Sequence, residues 1–253
     1  MYVYYYDNSF EGLLTAVFDV YARHERPDVL LPEGAPMPMF AEREHHVVSE
    51  QTKAERVWRG VLARTDRYVS DMLICVWLSE ESGADELLLH YLCKIFDCPR
   101  GKTYDFNDTE ILQARKIAQR VRQERERLIQ FVRFRKMSDG TYFAPVSPRH
   151  NALPLAVGHF RTRFADQKWV IYDIGRGYGY GYDLSRVVEI TLDTSGMTPT
   201  GDLPEEQYAA DDQLYGRLWK EYYNSLSIAE RRNPTLRRRN MPVRYWPFMT
   251  EFK

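Results

Sequence analysis

The side chains in this 253-residue chain best equipped for chemistry are Arg149-His150-Asn151 and two aspartates, Asp173 and Asp183, that flank a Gly-rich stretch. Histidine exchanges protons near neutral pH, and an asparagine amide can hold a substrate or a water. His150 as general base, with Asn151 and Asp173 completing the set, would make a hydrolytic or glycosylase-like site. The plainer alternative has Asn151 capping the following helix while His150 bonds nearby backbone. His159 lies further along the same predicted helix, about two and a half turns from His150, so the two cannot be adjacent metal ligands. Asp173 and Asp183 could pair across a hairpin to bind a metal or divide acid and base roles, although aspartates also commonly end strands. The chain contains no Gly-x-Ser-x-Gly elbow, phosphate-binding Walker loop or HExxH pattern.

Gly175, Gly177, Gly179 and Gly181 alternate with other residues, three of them Tyr178, Tyr180 and Tyr182. A dinucleotide loop requires a strand, a Gly-rich turn and then a helix. Here a strand is expected on both sides and the spacing is not GxGxxG, so the pattern reads as a hairpin. Its rings either pack as a ladder in a core or stand where a nucleobase can stack on them.

Positive charge is concentrated just before this region. From Glu110 to Lys136 there are nine basic residues against three acidic ones. From Arg231 to Lys253 there are seven against one, although the whole chain has a net charge of -1. Such segregation is a footprint of anion binding, or simply a solvated helix face. Arg115, Arg122, Arg125 and Arg133 outnumber nearby acids, which invites a phosphate partner, as do Arg231, Arg232 and Arg237 to Arg239 in the tail.

The elements that must position these groups follow from periodicity. Tyr2–Tyr6 reads as an aromatic strand, followed by a helix capped by Asn8 and Glu11. Residues 26–40 hold four prolines and predict an irregular loop, with a brief strand over His46–Ser49. Thr52 and Glu55 predict a capping box for the next helix, and further helices cover about 67–79 and 84–96. Residues 98–107 form a linker, after which Asn107 and Glu110 cap a long basic helix to about Leu128. Beyond it the texture changes to strands. Val132 and Phe134 share one strand face and Arg133 and Arg135 the other. Asp139-Gly140 marks a hairpin returning through Thr141–Pro145. A helix from Leu153 to Phe164 precedes strands at 169–173, 178–183 and 187–192, which read as an antiparallel meander. Residues 193–204 form a loop, and Asp202 and Glu205 open a last long helix. The expected fold is α+β: a mainly helical region over 1–106, then an α+β domain over 107–253 whose antiparallel sheet is flanked by helices.

Composition adds bounds. A 44% hydrophobic and 28% charged chain of this length can bury a sizeable core. No apolar run is long enough to span a bilayer, and the N-terminal MYVYYYDNSF lacks a basic-then-apolar signal pattern, so a cytoplasmic, membrane-free protein is expected. Three cysteines, Cys75, Cys93 and Cys98, argue against a disulfide framework or a zinc ribbon. No metal or cofactor is expected.

The run FVRFRKMSDGTYFAPVSPRHNALPLAVGHFRTRFADQKWVIYD resembles the signature of a bacterial DNA metabolism and DNA repair protein family. The tail ERRNPTLRRRNMPVRYWPFMTE and the opening YYYDNSFEGLLTAVFDVY are similar to that family's ends. The resemblance implies a domain of unknown function that also occurs fused to uracil-DNA-glycosylase-like proteins. It further implies association of stand-alone members with a DNA-modifying or repair radical-SAM protein. Arg149 departs from the acidic residue expected before the His-Asn pair, which speaks against a carboxylate mechanism there and adds to a phosphate-binding surface.

Together these readings give a DNA-binding accessory protein. Arg133, Arg135, Arg149, Arg163 and Arg244 would hold phosphates. Tyr142, Tyr178 and Tyr180 would stack an unpaired or flipped base, and His150 and Asn151 would orient it. The rivals are the hydrolytic site of His150, Asn151 and Asp173, and a protein-binding adaptor of the radical-SAM partner.

Overall fold

The computed structural model describes residues 1–98, 108–226 and 233–252. They form two compact units, Met1–Arg122 and Gln123–Lys253. The first is built around strand β1 (Tyr2–Tyr6), whose five residues are all buried. A strand covered on both faces needs a continuous apolar run rather than alternation, which YVYYY supplies. Helix α1 (Phe10–Arg23) follows, capped by Ser9, whose hydroxyl accepts the Gly12 N–H at 2.9 Å. Asn8 is not the cap, because it occupies a left-handed backbone conformation one residue too early.

Strands β2 (Val29–Pro32) and β3 (Arg43–His46) pair with β1 on either side, both parallel to it. The expected loop over 26–40 therefore contains a strand, and the expected strand at 46–49 lies earlier. Pairing with a buried central strand outweighs the proline content, and Pro32 is tolerated because β2 is an edge. Helices α2 (Gln51–Arg64), α3 (Arg67–Trp77), α4 (Ala84–Asp97) and the first part of α5 (Thr109–Phe131) complete this unit. Helix α2 starts after Glu50 without a side-chain cap, so Thr52 is not an N-cap; its hydroxyl donates to Glu50 instead. The predicted cap Asn107 and the linker from Pro99 onward lie outside the described residues. Asp108 caps α5, accepting the Glu110 N–H at 2.9 Å.

The second unit holds a five-stranded sheet in the order β4 (Arg135–Lys136), β5 (Tyr142–Val146), β6 (Trp169–Asp173), β7 (Tyr178–Tyr182), β8 (Val187–Ile190). The sheet is mostly antiparallel, and the Asp139-Gly140 turn joins β4 to β5 as expected. The β5–β6 pair is parallel, which a pure meander would not allow. Parallel neighbours need a crossover, and α6 (Leu153–Arg163) provides it. The face under α6 is an aromatic core: Phe134 and Phe164 lie 5.2 Å apart, Phe160 and Trp169 6.3 Å, and Trp169 and Tyr182 5.6 Å.

The last long helix, α7 (Asp212–Leu226), begins later than Asp202 or Glu205. Glu205–Gln207 form one 3-10 turn, and the chain then extends at Tyr208 to bridge Met137, with the Ser138 N–H donating to the Gln207 carbonyl and the Ala209 N–H to the Lys136 carbonyl, each at 2.9 Å. That pairing of Tyr208 and Ala209 interrupts the helix, which resumes at Asp212. A short helix, α8 (Pro234–Asn240), and two 3-10 turns end the chain. No described helix is long and apolar enough to cross a membrane.

Candidate functional site at the carboxyl ends of the parallel strands

The parallel pair decides where the chemistry-bearing residues meet. In sheets with βαβ units, ligands bind in the crevice beyond the carboxyl ends of the parallel strands. Strand β5 ends at Val146 and leads into the segment holding Arg149, His150 and Asn151. Strand β6 ends at Asp173, paired with Val146, and leads into the Gly-rich turn and Tyr178.

Asp173 is fully buried. Its Oδ1 accepts the N–H groups of Gly175 at 3.0 Å and Arg176 at 3.3 Å, and Arg176 Nη1 reaches Oδ2 at 2.8 Å. Burial pushes the carboxyl above its ordinary range, and Arg176 and the two N–H groups hold it back. Arg176 also donates to the carbonyls of Pro148 at 3.0 Å and Arg149 at 3.3 Å. One guanidinium thus ties the β6–β7 turn to the β5–α6 segment, a role for Arg176 that sequence reasoning missed. Its place three residues after a strand-ending Asp was the available signal.

Tyr178 donates its hydroxyl to Asn151 Oδ1. Asn151 is therefore not a helix cap; Ala152 takes that position. Burial, reinforced by Tyr180, holds the Tyr178 hydroxyl well above the ordinary tyrosine range, so it stays a donor. Tyr180 packs edge-on to Tyr178 at 5.9 Å and donates to Glu189 at 3.3 Å, its hydroxyl pushed up to about 12 chiefly by burial. His150, next to Asn151 in the chain, is buried, and Arg149 is exposed. The Arg149 backbone N–H donates at 2.7 Å to Glu124, a buried carboxylate on α5.

The glycines serve the backbone. A Cβ on Gly179 would stand 2.3 Å from the Ile171 carbonyl oxygen, so only glycine fits there. The hairpin reading of the Gly-rich stretch holds, with Gly177 at φ +72 closing the turn by donating to the Asp173 carbonyl at 2.8 Å. Asp183 lies at the far end of β7 from the Asp173–Tyr178 pair and accepts from Ser185 and Arg186 in its own turn.

The other predicted residues lie elsewhere. Arg135 shares a sheet face with Phe143 and Val170, opposite to the face of Asp173 and Tyr178. It pairs with Asp212 at 2.9 Å and stacks 3.4 Å from the Tyr208 ring centre. Arg133 pairs with Glu251 at 2.8 Å. Arg244 pairs with Glu124, which also accepts from Arg127 at 3.2 Å. Tyr142 begins β5, about 13 Å of strand away from Val146. Arg163 is exposed at the end of α6, over the Phe164 ring. On α5, Arg120 pairs with Glu81 and Arg125 with Glu126, so much of the basic run is balanced by internal carboxylates. Arg231 and Arg232 lie outside the described residues, and Arg237 stacks on Trp246 at 5.0 Å.

A hollow of about 650 Å³ between α1 and α2, and one of about 410 Å³ under the 193–204 loop, are lined by none of the predicted site residues. No group of three or more His, Cys, Asp or Glu among the described residues could hold a metal ion.

Residues 82–251 match the domain of unknown function DUF4130. The chain belongs to that family. The matched span runs from just before α4 to the tail and takes in every residue of the candidate site, while β1 to α3 precede it. No curated protein and no solved structure matches the chain.

Proposed function

We propose that this DUF4130 protein is a cytoplasmic DNA-binding accessory factor of a repair or modification system, working beside a radical-SAM enzyme. The partner comes from the family resemblance of the Phe131–Asp173 run and the tail. The observation that carries the binding role is Asn151: the Tyr178 hydroxyl fixes its Oδ1, which leaves its Nδ2 as an oriented donor beside two half-buried tyrosine rings. An amide locked in this way reads the edge of an unpaired base, and the rings offer it a stacking platform. The phosphate contacts fall to Arg149 and Arg163, which bracket the roughly 16 Å length of α6. Arg133, Arg135 and Arg244 keep structural roles.

The hydrolytic alternative has less support. Asp173 is fully buried and spends both oxygens on Arg176 and two backbone N–H groups, which suits it to holding the turn rather than to proton transfer with a substrate.

Fluorescence anisotropy at low salt with single-stranded, mismatched and uracil-containing oligonucleotides tests the proposal. Binding that favours unpaired bases and weakens in Arg149→Ala supports it. No binding to any of these DNAs sinks it. Salt-insensitive co-purification with the radical-SAM enzyme, without DNA affinity, would replace it with the adaptor role.

A further inference from the structure

Helix α7 carries two stripes, and only one of them has a partner among the described residues. The inner stripe is Asp212, Gly216, Trp219 and Tyr223. Asp212 holds Arg135, Gly216 faces Thr250, Trp219 Nε1 donates to Glu251 at 3.0 Å, and Tyr223 packs on Phe252 at 5.8 Å. Beside it runs an apolar stripe of Leu214, Tyr215, Leu218 and Tyr222, with Trp219 on the border. These five side chains are between 40% and 63% exposed. Large apolar side chains at helical spacing on three successive turns make a contiguous patch of the kind that marks a protein interface.

The charges beside the stripe identify what covers it. Arg217 and Glu221 are both exposed, four residues apart, on the edge of the stripe next to Leu214. Among the described residues neither makes an ion pair, although i,i+4 spacing permits one. In an antiparallel helix pair each edge meets the same edge of its partner. In a parallel pair it meets the opposite edge, which here is the Trp219 side already engaged by the tail. An antiparallel copy related by a two-fold axis near Trp219 therefore sets Arg217 of each chain against Glu221 of the other, over a shared apolar centre. We propose that the exposed stripe of α7 is an isologous interface and that its occupant is a second copy of this chain.

Sedimentation velocity on the full chain, from about 1 to about 100 µM, reads the assembly directly. A species of twice the chain mass is expected to grow in with concentration. Leu218→Arg should abolish it, raising the dissociation constant at least about 30-fold, as for a buried central residue. Circular dichroism shows whether that variant is folded, and Tyr215→Ser serves as a second, milder probe. Arg217→Glu and Glu221→Arg should each weaken the dimer about five-fold, and combining them should restore it. A monomer throughout the range overturns the proposal. So does a dimer that survives both Leu218→Arg and Tyr215→Ser, a dimer left weak by the double charge exchange, or occupation of the stripe by a different protein while the purified chain stays monomeric.

Discussion

The Tyr178 hydroxyl donates to Asn151 Oδ1 across the gap between the β6–β7 turn and the start of α6. This bond fixes which end of the amide faces outward. Tyr178→Phe frees the amide to rotate while leaving the ring in place. Affinity for unpaired DNA is expected to fall about five-fold, the worth of one net hydrogen bond. Anisotropy titrations of the two proteins, with thermal melts confirming equal folding, measure this.

Arg149 and Arg135 should respond in opposite ways. Arg149→Ala is expected to lower the slope of log affinity against log salt by about one and to leave stability nearly unchanged, because its side chain is exposed. Arg135→Ala is expected to cost on the order of 1–2 kcal/mol of stability through loss of Asp212 and the Tyr208 stack, with little change in affinity of the folded protein. Salt-dependent titrations and urea unfolding separate the two.

Glu124 ties α5 to Arg244, 120 residues later. Burial alone would raise this carboxyl, but the Arg149 N–H and Arg244 outweigh it and hold the group below its ordinary value of 4.5. A depressed carboxylate stabilises the fold above its unfolded-state value, and that stability is lost as pH falls through the folded-state value. Glu124→Gln should cost on the order of 2–3 kcal/mol at neutral pH, below a fully buried pair because Arg244 is about one-third exposed. It should also flatten the fall in stability below about pH 4.5. Urea melts across that pH range give both numbers.

Gly179→Ala is expected to destabilise the second unit by about 2–3 kcal/mol, since its Cβ would collide with strand backbone rather than a movable side chain. Gly181→Ala, whose Cβ would meet only ordinary contacts at 3.7 Å, should be tolerated. Thermal melts of the pair decide the point.

Much of the local structure was legible in the residues. YVYYY as a strand, the Asp139-Gly140 hairpin, the helix over Leu153–Arg163 and the three strands after it all follow from periodicity and turn chemistry. Local bonds displaced the helix caps, and the larger departures occurred where a distant segment supplied the decisive bond. The caps of α1 and α2 shifted by a residue or two, β2 formed in a proline-rich stretch through pairing with β1, and α7 began late because residues 207–209 bonded to β4.

The candidate site divides in the same way. Sequence by itself determined the residue types at one place: a His-Asn pair ahead of a helix, an aspartate closing a strand, and tyrosines alternating with glycines. Only the tertiary structure decided that β5 and β6 run parallel, and this brings His150, Asn151, Asp173, Arg176 and Tyr178 to one end of the sheet. It also set the fate of each arginine. A guanidinium has the same charge wherever it stands, and whether it grips a carboxylate of its own chain, as Arg133, Arg135 and Arg244 do, or faces water, as Arg149 does, depends on contacts between segments far apart in the chain.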